Sequence, residues 1–175
     1  MIVYNIPLAG MMTTEMIGRL SRIEHVKGVK YTGTALYEVT QIKDICKPGF
    51  QVYGGCDELA SSNIALGVDG IIGSFYNCVP DLFLRIWHAV NANDTVEAAK
   101  LQHQAWHVIR LGINSNSMMA CLKLWLRAAG IPAGYARRPF TNFSVEEEKS
   151  LVQSLAALDE KEVIGLELVR RIKAL

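Results

Sequence analysis

The sequence lacks any strong excess of charge of one sign. Its 175 residues include 18 Lys and Arg against 17 Asp and Glu, which gives a formal net charge of +1. Proteins that bind nucleic acid or anionic membranes usually carry a basic excess. No run of like charge exceeds the triplet Glu146–Glu148, which suits the first turn of a helix. The charge pattern therefore gives no support to nucleic-acid or membrane-surface binding.

The sequence also lacks paired cysteine motifs and long apolar runs. Its four cysteines have no CxxC spacing, and no cleavable signal segment precedes them. The apolar runs are far shorter than the ~20 residues of a membrane helix. We therefore expect reduced thiols in a cytoplasmic protein with no membrane span.

Apolar residues, by contrast, are abundant, since they make up 50% of the chain. This content is high for one domain of 175 residues, so we expect either an extensive core or a surface that a partner covers. No low-complexity linker divides the chain. We predict one domain over residues 1–175.

Four short runs have the composition of β-strands, and helical periodicity fills the intervals between them. The predicted strands are Met1–Tyr4, Val26–Tyr31, Phe50–Tyr53 and Gly70–Ile72, and the helices follow Thr13 as N-cap, about Ala35 and about Asp57. Alternating strands and helices predict an α/β fold with parallel strands. We assign residues 1–93 to a partial barrel.

The remainder of the chain, residues 94–175, is predicted to be a helical extension of the same domain. The helix boundaries that the sequence indicates are Pro80 and Asn91, the capping box Asp94–Glu97, Gly130 with Pro132 behind it, and the capping box Ser144–Glu147. A polar tail is expected to run out to Leu175. Of the late residues, His103 and His107 lie four apart, but no third ligand follows and we expect no metal site.

Polar or small residues follow each predicted strand at regular intervals. Tyr4, Lys30, Gly55 and Ser74 are 26, 25 and 19 positions apart, about one strand and helix unit each time. In a parallel barrel the carboxyl ends of all strands open onto one face, where catalytic groups gather. These positions are therefore expected to converge on one pocket.

Lys30 and Tyr4 are the candidate catalytic residues. A desolvated lysine loses proton affinity, and its neutral amine can attack a ketone to form a Schiff base. A phenol beside it can relay protons. The alternatives are a lysine that reaches water from a strand end and a tyrosine packed in the core.

Two further segments are candidates for substrate binding. In Gly54–Glu58, the glycines allow close approach of a ligand, and Asp57 with Glu58 offers acceptors for several hydroxyls. Asp57 could instead cap the following helix. The segment Gly73–Asn77 could bind a polar group or only shape a turn.

Taken together, the motifs YNIP, GVKYTG, GGCDE and GSFYN, with RRPF at Arg137–Phe140, carry a resemblance that extends over nearly the whole chain. The chain resembles the C-terminal half of the N-acetylneuraminate lyase and dihydrodipicolinate synthase family of class I pyruvate-dependent aldolases. The resemblance implies a TIM (β/α)8 barrel, of which this chain supplies about strands 5 to 8 and a C-terminal helical region. MIVYNIP would be the fifth strand.

The resemblance also implies roles for single residues. Lys30 would form the imine with pyruvate and Tyr4 would shuttle the proton, without a metal or other cofactor. The residues expected to contact the sugar-derived part of the substrate are Thr32, Gly55, Asp57, Glu58 and Ser74. The implied reaction is the reversible cleavage of N-acetylneuraminate, or a similar 2-keto-3-deoxy sugar acid, to pyruvate and an aldehyde sugar. Relatives of this kind are commonly homo-oligomers.

The branch within the family depends on fewer residues. Synthases carry an arginine shortly after the YN-Pro motif, whereas Leu8, Ala9 and Gly10 stand here, which favours the lyase. Cys56 replaces an aromatic residue expected in the lyase. A dihydrodipicolinate synthase-like enzyme and a 2-keto-3-deoxy sugar acid aldolase remain the alternatives.

The Gly-Thr-Thr-Gly-Glu-like segment that binds the pyruvate carboxylate in the family has no counterpart in this chain. Half a barrel also leaves open strand edges and an uncovered interior. Two hypotheses follow: an aldolase that needs a complementary N-terminal half, or a truncated, non-catalytic chain that self-associates.

Overall fold

Four parallel strands form a single sheet, in which they lie side by side in chain order. The strands are β1 Ile2–Asn5, β2 Gly28–Tyr31, β3 Gln51–Gly54 and β4 Gly70–Ile71. Each lies within two residues of its predicted bounds. The computed structural model describes the whole chain, Met1–Leu175, and confirms the predicted α/β fold with a parallel sheet.

Contacts along the chain divide it into two compact units. The first comprises residues 1–73 and 87–98, and the second comprises residues 74–86 and 99–175. The sheet and the three helices that connect its strands belong to the first unit. These helices are α1 Thr14–Ser21, α2 Tyr37–Ile45 and α3 Ala60–Ala65.

The start of α1 follows from a single side chain. The hydroxyl of Thr13 accepts a hydrogen bond from the backbone N–H of Met16 at 3.2 Å, as predicted for an N-cap. The predicted third helix, by contrast, is divided, because residues 57–59 form a 3₁₀ turn before α3 begins at Ala60.

The core of the first unit lies on one face of the sheet. Val29 and Tyr31 of β2 and Val52 of β3 are buried there against Ile17 of α1 and Ile42 of α2. Side chains alternate between the two faces of a strand. Residues at the intervening positions of β2 and β3 therefore lie on the opposite face.

That opposite face, called the bare face below, carries the side chains of Ile2, Tyr4, Lys30, Gln51 and Tyr53. Tyr4, Lys30 and Tyr53 are register partners on three neighbouring strands. Ile2 is 41% exposed and Tyr4 is 48% exposed, and Gln51 is also exposed. Parallel sheets are usually covered on both faces, so this exposure is unusual.

The second unit is helical, and residues 87–98, which end one late helix and begin the next, belong to the first unit. The late helices are α4 Pro80–Asn91, α5 Thr95–Ile113, α6 Met118–Ala128, α7 Val145–Lys161 and α8 Glu167–Lys173. Within this unit, Trp125 of α6 and Leu155 of α7 are completely buried. The predicted capping box of α7 is confirmed, since Ser144 and Glu147 exchange side-chain and backbone hydrogen bonds.

The predicted polar tail is wrong, because α8 lies within it. Leu168 and Val169 of α8 are buried within the second unit. The carboxylate of Asp81 accepts a hydrogen bond from the backbone N–H of Glu167 at 3.1 Å, at the first turn of α8. Contacts with residues distant in sequence thus stabilise a helix of only seven residues.

None of the helices has both the length and the apolar character that crossing a membrane requires.

Candidate active site

Tyr4 and Lys30 lie side by side at the carboxyl ends of β1 and β2. The two residues are register partners in the parallel sheet, so both side chains project from the bare face. The Nζ atom of Lys30 donates a hydrogen bond to the Tyr4 Oη atom at 3.1 Å, and it lies 4.2 Å from the centroid of the Tyr4 ring. The structure thus brings together the two residues that the sequence predicts to be catalytic.

The surroundings of this pair are open. The side chain of Lys30 is half-buried, whereas the sequence predicts a lysine held away from solvent. The difference arises because Lys30 projects from the bare face, on which its neighbour Tyr4 is also about half exposed. Chemically, the arrangement provides an amine that can act as a nucleophile and a phenol within proton-transfer distance of it.

Asn5, which the sequence analysis does not single out, fixes the loop that follows Tyr4. Its side chain is completely buried. The Asn5 Oδ1 atom accepts a hydrogen bond from the backbone N–H of Met12 at 2.8 Å, and Nδ2 donates to the Met12 carbonyl at 3.4 Å. These bonds hold both polar groups of one residue and so define the path of the chain from β1 to α1. The sequence feature that could have identified this residue is an asparagine directly after a strand-end tyrosine.

Thr32 and Gly55 are in close contact at the ends of β2 and β3. A Cβ atom on Gly55 would overlap the Thr32 hydroxyl and would lie 2.9 Å from the Tyr31 carbonyl. Only glycine fits this approach without a shift of its neighbours. The Thr32 Oγ1 atom is buried and has no hydrogen-bond partner within the chain. The hydrogen-bonding capacity of this hydroxyl is therefore unused within the chain.

Asp57 is buried in the first position of a 3₁₀ turn, directly after β3. Its carboxylate lies against Gly73, where a Cβ atom would overlap it. The N-cap residues are Cys56 for this turn and Leu59 for α3. The alternative that Asp57 is the N-cap of the following helix is therefore wrong.

Glu58, the neighbour of Asp57, is exposed. The two carboxylates thus differ in environment, and the sequence gives no sign of this difference. Asp57 is fixed by the packing around it, whereas Glu58 is accessible to a ligand from solvent.

Cys56 is close enough to Lys30 and to the pair Asp57 and Glu58 to interact electrostatically with both. Its thiol is half-buried and donates to the Gly33 carbonyl at a sulfur-to-oxygen distance of 3.8 Å. Burial raises the pKa of the thiol, the carboxylates of Glu58 and Asp57 raise it further, and the Lys30 ammonium lowers it. Cys56 therefore interacts with both Lys30 and the acidic pair.

Behind β2, on the face opposite Lys30, Tyr31 anchors the following loop to α2. Its phenol donates a hydrogen bond to Glu38 Oε2 at 2.5 Å. Burial, followed by this hydrogen bond, raises the pKa of Tyr31 well above its ordinary value. Tyr31 therefore stays protonated and holds the strand end that carries Lys30.

Ser74 begins the second unit and precedes a 3₁₀ turn at residues 75–77. Its backbone carbonyl accepts a hydrogen bond from the Asn77 side chain at 3.0 Å. Of the two roles predicted for the segment Gly73–Asn77, binding a polar group or shaping a turn, this contact corresponds to the second.

The late histidines form a pair rather than part of a larger cluster. The Nε2 atoms of His103 and His107 are 3.1 Å apart. The chain contains no group of three or more His, Cys, Asp or Glu side chains placed to hold a metal ion.

Comparison with known proteins assigns the family. The model of the dihydrodipicolinate synthetase family matches residues 1–158. The N-acetylneuraminate lyase of Haemophilus influenzae is 35% identical over 159 residues, which are 90% of this chain and 54% of that protein. The chain thus spans about half the length of the curated relatives it matches.

Solved structures give the same result. The sialic acid aldolase of Ruminococcus gnavus has a TM-score of 0.81 at 26% identity, covering 91% of this chain and 56% of that one. The N-acetylneuraminate lyase of Mycoplasma synoviae has a TM-score of 0.79 at 30% identity, covering 90% and 53%. Together with the family match, these similarities confirm the resemblance that the motifs predicted: the chain belongs to the dihydrodipicolinate synthetase family.

Proposed function

We propose that this chain supplies the lysine side of the active site of a pyruvate-dependent class I aldolase of the N-acetylneuraminate lyase type. The observation that carries the proposal is the 3.1 Å hydrogen bond between Lys30 Nζ and Tyr4 Oη at the carboxyl ends of adjacent parallel strands. In this proposal the chain corresponds to about strands 5 to 8 of a (β/α)8 barrel, as the one-half coverage of its relatives suggests.

In the proposed reaction, the neutral amine of Lys30 attacks the C2 ketone of a 2-keto-3-deoxy sugar acid and water leaves, which forms an imine. The Tyr4 phenol gives its proton to the imine nitrogen, and the resulting phenolate accepts the proton of the C4 hydroxyl. The C3–C4 bond then breaks, and the electron pair of that bond moves into the iminium to give the neutral enamine. The aldehyde sugar departs. Protonation of the enamine at C3 and addition of water then release pyruvate and restore the amine, so neither a metal nor another cofactor is needed.

Substrate contacts are proposed for the remaining predicted residues. The unpartnered hydroxyl of Thr32, the close approach allowed at Gly55 and the carboxylates of Asp57 and Glu58 offer groups that suit a polyhydroxylated substrate. Ser74 is proposed as a further contact. Leu8, Ala9 and Gly10 follow the YN-Pro motif, after which synthases carry an arginine, so we favour a sugar acid over the synthase substrate.

A second candidate is a chain that self-associates and performs no chemistry. The exposure of Tyr4 and Ile2 on the bare face favours it, since an uncovered parallel sheet is a surface prone to association. This candidate predicts oligomers without a reactive Lys30, and the proposed aldolase predicts a reactive Lys30 whatever the oligomeric state.

Trapping of the imine tests the proposal. The chain is incubated with pyruvate and borohydride, and intact mass and peptide maps are recorded. The expected result is one reduced pyruvate on Lys30, lost in Lys30→Arg and retained in the matched control Lys27→Arg, which changes an exposed lysine just before β2. Equal labelling of Lys27 and Lys30 would show non-specific chemistry and would sink the proposal, as would the absence of any adduct even when the N-terminal half of a relative is supplied.

A further inference from the structure

The loop that joins β2 to α2, residues 32–36, folds back over the hydroxyl of Tyr31. A Cβ atom on Gly33 would overlap this hydroxyl, so the backbone of the loop lies directly against it. The hydroxyl donates to Glu38 Oε2 at 2.5 Å, whereas the Ala35 carbonyl is 3.3 Å away. A phenol has one proton to donate, and the shorter distance is typical of a bond to a charged carboxylate. Glu38 is therefore the principal partner of Tyr31.

Glu38 connects this hydroxyl to a well-packed part of the first unit. It belongs to the first turn of α2, whose N-cap Leu36 supplies no side-chain hydrogen bond. A carboxylate in the first turn is stabilised by the helix dipole. The helix itself is packed on the core through Val39 and Ile42, which are completely buried. The position of the Glu38 carboxylate is therefore defined by the helix that carries it.

The same loop contacts the proposed substrate-binding segment on its other side. The Gly33 carbonyl accepts the hydrogen bond of the Cys56 thiol at a sulfur-to-oxygen distance of 3.8 Å. Thr32, one residue earlier, lies against Gly55, where a Cβ atom would overlap the Thr32 hydroxyl. Contacts therefore extend without interruption from Glu38 through the loop to the end of β3.

The end of β2 that carries Lys30 is also held by backbone hydrogen bonds. On one side the Thr32 N–H donates to the Asn5 carbonyl at 2.9 Å, and on the other the Tyr31 carbonyl accepts a bond from the residue after β3 at 2.8 Å. Neither bond involves Glu38. Loss of the Glu38 carboxylate should therefore loosen the loop without moving Lys30.

We propose that Glu38 is a positioning residue for the sugar-derived part of the substrate, and that it acts through Tyr31 on the loop that carries Thr32 rather than on the imine-forming lysine. The inference rests on the proposed function, because Thr32 is a substrate contact only in that proposal. Recognition of a short 2-keto acid that reaches only Lys30 should not depend on Glu38, whereas recognition of a long, polyhydroxylated one should.

Replacement of Glu38 should leave the chain folded. Tyr31, Gly33 and Glu38 border an open cleft of about 500 Å³, whose other side is formed by the loop after β1 and the start of α1. Atoms removed from Glu38 therefore leave a space that is continuous with this cleft rather than a sealed cavity. Water that enters this space bonds to the Tyr31 hydroxyl but does not connect the hydroxyl to α2.

Trapping with two 2-keto acids tests the proposal. Under the conditions of the imine trapping described above, the chain is reduced with borohydride at a series of concentrations of pyruvate and, separately, of N-acetylneuraminate. The concentration that gives the half-maximal rate of adduct formation on Lys30 is measured for each acid. In Glu38→Ala this concentration should rise about tenfold for N-acetylneuraminate, near the upper limit for one neutral hydrogen bond. For pyruvate it should stay unchanged.

Three further variants complete the test, after circular dichroism has established that each one folds. Glu38→Gln keeps an acceptor for the Tyr31 hydroxyl and should restore most of the affinity for N-acetylneuraminate. Tyr31→Phe should reproduce Glu38→Ala. Asp44→Ala is the matched control, because it removes an exposed carboxylate from the same helix, and it should change neither concentration.

The results that would overturn this inference differ from those that would overturn the proposed function. No adduct on Lys30 of the unmodified chain removes the proposed function, and this inference with it. A normal adduct, with the half-maximal concentrations of both acids unchanged in Glu38→Ala, overturns only the role of Glu38. An equal rise for both acids, or no restoration by Glu38→Gln, would show a general loss of structure and would overturn that role as well.

Discussion

The loop between β1 and α1 depends on Asn5, and replacement of this residue by alanine is the sharpest test of how the strand end is held. The Asn5 side chain is completely buried, and it bonds the backbone N–H of Met12 at 2.8 Å and its carbonyl at 3.4 Å. Asn5→Ala removes both bonds and leaves the Met12 N–H without its partner.

The expected loss can be estimated from these two contacts. A stranded, partly buried donor costs about 1–3 kcal/mol. The weaker bond at 3.4 Å adds little, because it lies near the limit of hydrogen-bond geometry. We expect a decrease of about 2 kcal/mol in the free energy of unfolding. Urea denaturation with far-UV circular dichroism measures it as a midpoint shift of roughly 1 M, if the slope is about 2 kcal/mol/M.

Asn91→Ala is the matched control. Asn91 donates one side-chain hydrogen bond to the Trp87 carbonyl at 2.8 Å, but at an exposed position of α4. Its loss should change the free energy of unfolding by no more than about 0.5 kcal/mol. If Asn5→Ala destabilises the chain no more than Asn91→Ala does, Asn5 does not hold the loop and the reasoning is refuted.

Three further changes have defined outcomes. Ser144→Ala removes the capping box of α7 and should lower the free energy of unfolding by about 1 kcal/mol in urea denaturation. Gly73→Ala should displace the Asp57 carboxylate, which a crystal structure of the variant would show directly. Burial raises the pKa of Cys78 to about 12 and of Cys121 to about 11, so the unfolded chain releases these protons at lower pH than the folded chain. Below the usual thiol pKa of about 8.5, the free energy of unfolding contains the full contribution of the protonated thiols. As the pH rises, this contribution declines by up to about 1.4 kcal/mol per pH unit for each thiol, until the pH reaches about 11 for Cys121 and about 12 for Cys78. Cys78→Ala should make this alkaline decline shallower.

The corresponding negative results are equally specific. Ser150→Ala lies within α7 but outside its cap, and a loss as large as that of Ser144→Ala would remove the case for the capping box. An unmoved carboxylate in Gly73→Ala would mean that Asp57 is not held by this contact. The same alkaline slope in Cys78→Ala and in the unmodified chain would show that the thiol does not contribute to it.

The sequence was sufficient to predict features that depend on local pattern. Strand composition predicted four strands, and parallel pairing in chain order then placed Tyr4 beside Lys30. The caps at Thr13 and Ser144 were predictable because each N-cap contact joins residues three apart.

Features that depend on distant contacts were not predictable in this way. The segment that forms α8 reads as polar because its buried side chains are few, and its first turn is bound by Asp81, which lies 86 positions earlier in the chain. The contact of Asp57 with Gly73 likewise joins two strand ends across the sheet, so neither the burial of Asp57 nor the exposure of Glu58 is visible in the motif.

Cleavage of N-acetylneuraminate tests the central claim most directly, with this chain produced together with the segment of the Haemophilus influenzae lyase that precedes the matched region. Pyruvate release is followed with lactate dehydrogenase and NADH for the complex of this chain with the lyase segment, and for the same complex carrying Lys30→Arg. We predict release by the first and none by the second. Release that Lys30→Arg leaves unchanged, or no release from a complex that has formed, would contradict the proposal that Lys30 is the imine-forming residue.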